Sequence, residues 1–209
     1  MKIFFVPTVM FLLCMSPCLK AQQDTEAQAL ERAEREFNAL SGRGWEASTG
    51  DLRQMLENGW KLHYELDEQG EHVYVRTYGG GRNQDKEAAI REAIDKAREF
   101  VSNPMVLYFQ TWNANKRMKG EISAEDSHII RDVISDIHDL IYEQVSGLEV
   151  EPQVVITRPG RRNTTEATVR VYYNQLELRE FVRNLIVDEI MKTTEWTREE
   201  AVAKLTYDH

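Results

Sequence analysis

The chain has 209 residues, with 35 acidic against 26 basic side chains, five histidines and two cysteines, Cys14 and Cys18. A net charge of −9 without a concentrated basic stretch argues against nucleic acid as a partner, since phosphate binding needs a cationic face. The length suffices for one domain with its own core, and no cysteine after position 18 is present to cross-link it.

The first segment reads as a secretory signal peptide, residues 1–21. Lys2 supplies a positive start, and residues 3–15 form an apolar run broken only by Pro7 and Thr8. That run is shorter than the roughly 20 residues a bilayer span needs. Ser16 and Pro17 are expected to break any helix before a cleavage site placed after Ala21, with Leu19 three residues back from the bond. Cleavage there removes Lys2 and Lys20, leaving 24 basic against 35 acidic residues, a net of −11, in a cysteine-free chain beginning at Gln22. The expected home is therefore the bacterial periplasm or the exterior, with no transmembrane segment after signal removal. Cys18 opens an alternative, lipidation at a lipoprotein cleavage site, which would make the product an outer-membrane lipoprotein. Pro17 stands against it, because a small residue normally precedes such a cysteine.

Residues 25–40 have helical periodicity through Ala27, Leu30, Ala33, Phe37 and Leu40. Residues 51–58 predict a short helix stopped by Gly59. Alternation at Trp60, Leu62, Tyr64 and Leu66, then at Val73 and Val75, predicts a hairpin around a turn at 67–70, with Leu66 facing Glu71. Gly79, Gly80 and Gly81 are read as closing the second strand. A helix over 84–101 follows, with Asn83 as N-cap, stopped by Asn103 and Pro104, and residues 105–111 predict a strand. Residues 124–145 predict the strongest helix, opened by a capping-box pattern at Ser123 and Asp126 and ended by Gly147. Strands over 148–157 and 167–173, a helix over 176–191 and a short helix after Thr197 complete the chain.

The fold class expected is α+β: a small antiparallel or mixed sheet packed against two long helices, with N-terminal and C-terminal helical extensions. The organisation reads as signal peptide 1–21, N-terminal helix 22–44, α+β domain 45–175 and C-terminal helices 176–209. The last helices are expected to be separable, so that deleting 194–209 leaves the domain folded.

Candidate chemistry is sparse. On the predicted hairpin, His63, Glu65 and His72 share the face opposite the core, and two imidazoles with a carboxylate are a zinc-type ligand set. Lys61 and Arg76 on the same face oppose a divalent ion. His128 and His138 lie about 80° apart around one helix and do not chelate together. Asp132, Asp136, Asp139 and Glu143 read as a solvated acidic face without a calcium loop. The triple glycine before a helix lacks the residues of a phosphate-binding loop. No nucleophile motif is present, so no catalysis and no cofactor are expected.

The run Gly79-Gly80 followed by the alanine-rich helix from Glu87 to Arg98 resembles the helicobacter lipoprotein-20 family and the similar domain of flagellar assembly protein T. In those a glycine-ended strand leads into a helix with repeated alanines, a strand, a second helix and a returning hairpin. The segments 145–157 and 168–172 resemble that hairpin. The resemblance covers roughly residues 60–173 and implies a non-catalytic envelope module that packs against other envelope proteins. Two other functions are expectations of the residues themselves: a metal-binding protein or hydrolase using the hairpin histidines, and a periplasmic carrier of a small apolar ligand.

Overall fold

A computed structural model describes residues 17–206. The fold is α+β, with a four-stranded antiparallel sheet between two helical layers. The elements run α1 (Pro17–Ser41), β1 (Glu46–Ala47), α2 (Leu52–Tyr64), β2 (Tyr74–Asn83), α3 (Lys86–Met118), α4 (Ala124–Asp136), α5 (His138–Ser146), β3 (Val154–Pro159), β4 (Thr165–Asn174), α6 (Gln175–Thr193) and α7 (Arg198–Lys204). The strand order is β1-β3-β4-β2, so the long strand β2 forms one edge. The signal-peptide reading falls mostly on residues 1–16, outside the described residues. Pro17 and Cys18 begin α1 rather than breaking a helix; proline is tolerated there because the first helical N–H groups have no partner within the helix.

One face of the sheet lies on α3. Val75, Thr77, Gly79 and Gly81 of β2 point to this side, as do Ala167, Val169, Val171 and Tyr173 of β4. Against them α3 lays Ala89, Ala93 and Ala97, all fully buried. The three glycines therefore lie inside β2 instead of closing it. A side chain at 79 or 81 would strike the helix backbone, and only glycine opposite alanine lets the two elements approach so closely.

Helix α3 does not stop at Asn103 and Pro104. It runs on through the segment expected to be a strand, because Val101, Met105, Val106, Phe109 and Asn113 keep a buried 3.6-residue repeat. Pro104 sits on the solvent side, where the carbonyl it leaves unpaired reaches water. The N-cap is Asp85, whose Oδ1 accepts from the Ala88 N–H at 2.7 Å, two residues later than expected. Helices α4 and α5 are the two halves of the predicted 124–145 helix, broken at Ile137, and they pack on α3 and α6. Ser123 caps α4 as its sequence predicts, accepting from the Asp126 N–H at 3.0 Å. The C-terminal helices are part of this core: Val182, Ile186, Val187 and Ile190 of α6, then Ala201 and Leu205 at α7, are fully buried. Deletion of 194–209 would therefore open the core, contrary to the sequence-based expectation.

The other sheet face carries a smaller core, in which α1 and α2 cover Val154 and Ile156 of β3 with Ala33, Leu52 and Leu56. The inward face of α1 is rotated from the expected stripe: Ala29 and Ala33 are buried, whereas Ala27 and Leu30 are exposed. The strand predicted over 60–66 does not form. Asp51 caps α2 and the helix runs through Gly59 to Tyr64, since a Cβ at 59 would lie 2.8 Å from Val154 Cγ2 and glycine lets α2 sit on the sheet. What remains of the hairpin is one bridge between Leu66 and His72, a residue away from the predicted register. Its turn is held by Asp67 Oδ1, which accepts from the N–H groups of Gln69 and Glu71.

Candidate functional site

The histidines predicted on a shared strand face come together by another route. His63 lies in the last turn of α2 and His72 on the loop entering β2, and their rings stack at 5.6 Å with 9° between planes. Glu65 is the C-cap of α2; its carbonyl accepts from the Val73 N–H at 3.0 Å. Among the described residues no group of three or more His, Cys, Asp or Glu is arranged to hold a metal ion.

Instead the histidines border a cationic and aromatic patch. Positions 76, 78, 80 and 82 of β2 face the sheet side carrying α1 and α2, paired across to 172, 170, 168 and 166 of β4. Helix α2 lies across this face, touching β3, β4 and β2, and beyond it Tyr78, Gly80 and Arg82 of β2 are exposed. Trp60 sits at the boundary. Its Nε1 donates to Glu36 Oε2 of α1 at 2.7 Å, and its ring stacks on Tyr64, one turn on, at 5.8 Å. Arg170 is buried beside it; Nη1 donates to the same Glu36 oxygen at 3.0 Å and Nη2 to Oε1. Burial opposes the charge on Arg170, but the bonds to Glu36 outweigh it and raise the pKa.

Arg76 is placed differently. Its guanidinium carbon lies 4.9 Å from the Trp60 ring and 5.3 Å from the Tyr78 ring, and among the described residues no carboxylate pairs with it. Tyr78 is 53% exposed while Trp60 and Arg76 are half-buried, so the cluster faces solvent on its Tyr78 side. Cation–π attraction holds a guanidinium in place without neutralising it, leaving its N–H edge able to receive an anion. Burial, with the charges of Arg76, His72, Arg170 and Arg32, lowers the His63 pKa to about 4, so this ring is neutral at physiological pH. On a chain of net charge −9 this is a local concentration of positive charge. Trp60 and Arg76 were legible only as a core residue and a strand cation, because neither carries a local motif; β-pairing and the helical course of α2 create the site.

Next to His72 opens a cleft of about 450 Å³ lined by Glu71, Tyr108, Gln175 and Arg179 among others. Arg179 lies 4.3 Å over the Tyr108 ring and donates to Gln175 Oε1 at 2.6 Å. A second cleft of similar size, lined by Leu148, Val150, Tyr173, Leu178 and Phe181, is the place where an apolar ligand of the carrier reading would sit. The other sequence candidates are surface features. His128 pairs with Asp132 at 2.8 Å, His138 with Asp139 at 3.2 Å, and the acidic row at 132, 136, 139 and 143 is exposed. Cys18 lies on the first turn of α1. Among the described residues no helix is long and apolar enough to cross a membrane. Comparison with the models of known families, with curated proteins and with solved structures found no match for this chain.

Proposed function

We propose that this chain is a non-catalytic binding or scaffolding module of the bacterial cell envelope, exported by its N-terminal signal, that grips an acidic group of its partner with Arg76. The observation that carries the reading is the half-buried guanidinium of Arg76 beside the rings of Trp60 and Tyr78, without a carboxylate partner among the described residues. The likeness of the 79–98 segment to envelope lipoproteins supports the compartment, and the acidic, cysteine-free sequence after position 18 agrees with it. One element of that family pattern is absent here, the strand between the two helices, whose place α3 takes.

A photo-cross-linking residue in place of Gly80, exposed on the same face beside the cluster, introduced in the native host, tests the binding role. The expected result is one recurring envelope partner whose capture falls at least about tenfold with Arg76→Ala, compared at a temperature where circular dichroism shows both proteins folded. Equal capture by both proteins would remove the patch from the function. Intact mass of the exported product tests the compartment. A start at Gln22 identifies a free periplasmic or secreted protein, a start at an acylated Cys18 an outer-membrane lipoprotein, and an unprocessed Met1 would sink the envelope reading.

A further inference from the structure

The second half of α3 leaves an apolar row uncovered. Phe100 is 62% exposed, Leu107 63% and Met118 78%, unusual values for large apolar side chains in a protein with two well-filled cores. At 100° per residue, Phe100, Pro104, Leu107, Thr111, Ala114 and Met118 all fall within about 40° of one line along the helix. Their spacing alternates four and three, the repeat that packs one helix along another at a shallow angle. Beside the row runs a groove of about 470 Å³ lined by Pro104, Leu107, Tyr108, Thr111, Trp112 and Asn115, with Lys116 and Lys119 at its far end.

We infer that this face binds a second copy of the same chain, with two α3 helices antiparallel and the two-fold axis at Leu107. Three features of the row choose that occupant. The row is self-complementary in size about this centre: Phe100 falls opposite Ala114 of the second copy, seven residues to either side of Leu107. It is complementary in charge, because Glu99 and Arg117 lie on one flank at opposite ends of the row, and antiparallel packing brings each within reach of the other on the second copy. Between them on that flank lie Asn103, four residues before Leu107, and Gln110, three after it, so antiparallel packing brings the two within one residue of each other, close enough to hydrogen-bond. Lys96, the cation on that flank of the helix, is already tied to Glu92 at 2.6 Å. A parallel pair would instead set Phe100 on Phe100 and take the flank of Glu99 away from that of Arg117. The row is about 27 Å long, so the contact is small and its affinity belongs in the micromolar range. It lies on α3, on the sheet face opposite Arg76, and is independent of the patch described above.

Cysteine cross-linking tests the register, since no native cysteine follows position 18. In the chain carrying Cys14→Ser and Cys18→Ser, Leu107→Cys should give a disulfide dimer under mild oxidation, its two Cα atoms meeting on the axis. Met118→Cys should cross-link at least about tenfold more slowly, because its copies would lie roughly 33 Å apart. Sedimentation velocity provides the second readout. Leu107→Glu, exposed and so harmless to the fold by circular dichroism, should weaken self-association at least about 30-fold. A protein monomeric at all concentrations, equal cross-linking at 107 and 118, or association unmoved by Leu107→Glu would each overturn the inference.

Discussion

Gly79 of β2 and Ala93 of α3 meet backbone to backbone: a Cβ built at position 79 would stand 1.8 Å from the Ala93 carbonyl oxygen. Gly81 stands in the same relation to Ala89, at 1.9 Å, one helical turn earlier. The helix is seated on the sheet by these two contacts, and Val169 and Val171 of β4 close the core beside them. Gly80, between the two, points to the open face and has its nearest neighbour at 3.9 Å.

Gly79→Ala should therefore destabilise the protein by about 3 kcal/mol or more, since the obstacle is helix backbone and cannot rotate away. Gly80→Ala should stay within about 1 kcal/mol of the parent. Urea unfolding midpoints of the two variants check this, and equal midpoints would mean that α3 does not rest on the strand as described.

The Glu36–Arg170 pair pins α1 to the sheet. Glu36→Ala leaves a buried guanidinium unpaired and frees the Trp60 N–H, so a loss of about 3 kcal/mol is expected. Replacing both partners by apolar residues, Glu36→Leu with Arg170→Met, should restore most of that stability, because no uncompensated charge remains. A double variant no better than the single one would show that the carboxylate acts through Trp60 alone. Chemical denaturation of the three proteins provides the comparison.

His63 makes stability depend on pH. Its folded pKa, about 4, lies below the ordinary 6.5, so between those values the unfolded chain takes up a proton that the folded chain does not. Stability attributable to this ring is complete above pH 6.5, falls as the pH drops through the window and levels off below about 4. Allowing for partial solvent exposure, the loss is on the order of 1 kcal/mol. His63→Gln should flatten the change in urea midpoint between pH 7 and pH 5; an unaltered slope would show that the ring charges freely.

Leu205 tests whether the C-terminal helix belongs to the core. It is fully buried at the end of α7, and Lys204 beside it pairs with Asp126 of α4 at 2.6 Å. Leu205→Ala is expected to cost about 2–4 kcal/mol, read from the thermal midpoint. A change under 0.5 kcal/mol would restore the view of this helix as a detachable addition.

Much of the fold was open to a reader of the sequence. The capping residues Ser123 and Thr197 mark helix starts because their hydroxyls satisfy N–H groups three residues on, a local interaction that needs no tertiary context. The apolar Val169 and Val171 between Thr168, Arg170 and Tyr172 mark β4 because successive strand side chains point to opposite faces of the sheet. The candidate site was legible only in part. His63 and His72 could be placed together, but the reason lay in a hairpin that does not form, and the Arg76 sandwich depends on the helical course of α2 that the sequence pattern obscured.

What the sequence determined by itself was the α+β class, most element positions and the acidic, cysteine-free character after position 18, all properties of short windows or of composition. What only the tertiary structure decided was the meaning of Gly59, Gly79, Gly81 and Pro104, each of which reads locally as a stop. The intrinsic cost of glycine or proline inside an element is about 1–3 kcal/mol, and close packing across the chain or continued burial beyond it outweighs that. Whether such compensation exists depends on residues far away in sequence: Ala93 behind Gly79, Val154 behind Gly59, and the buried row from Met105 to Asn113 after Pro104.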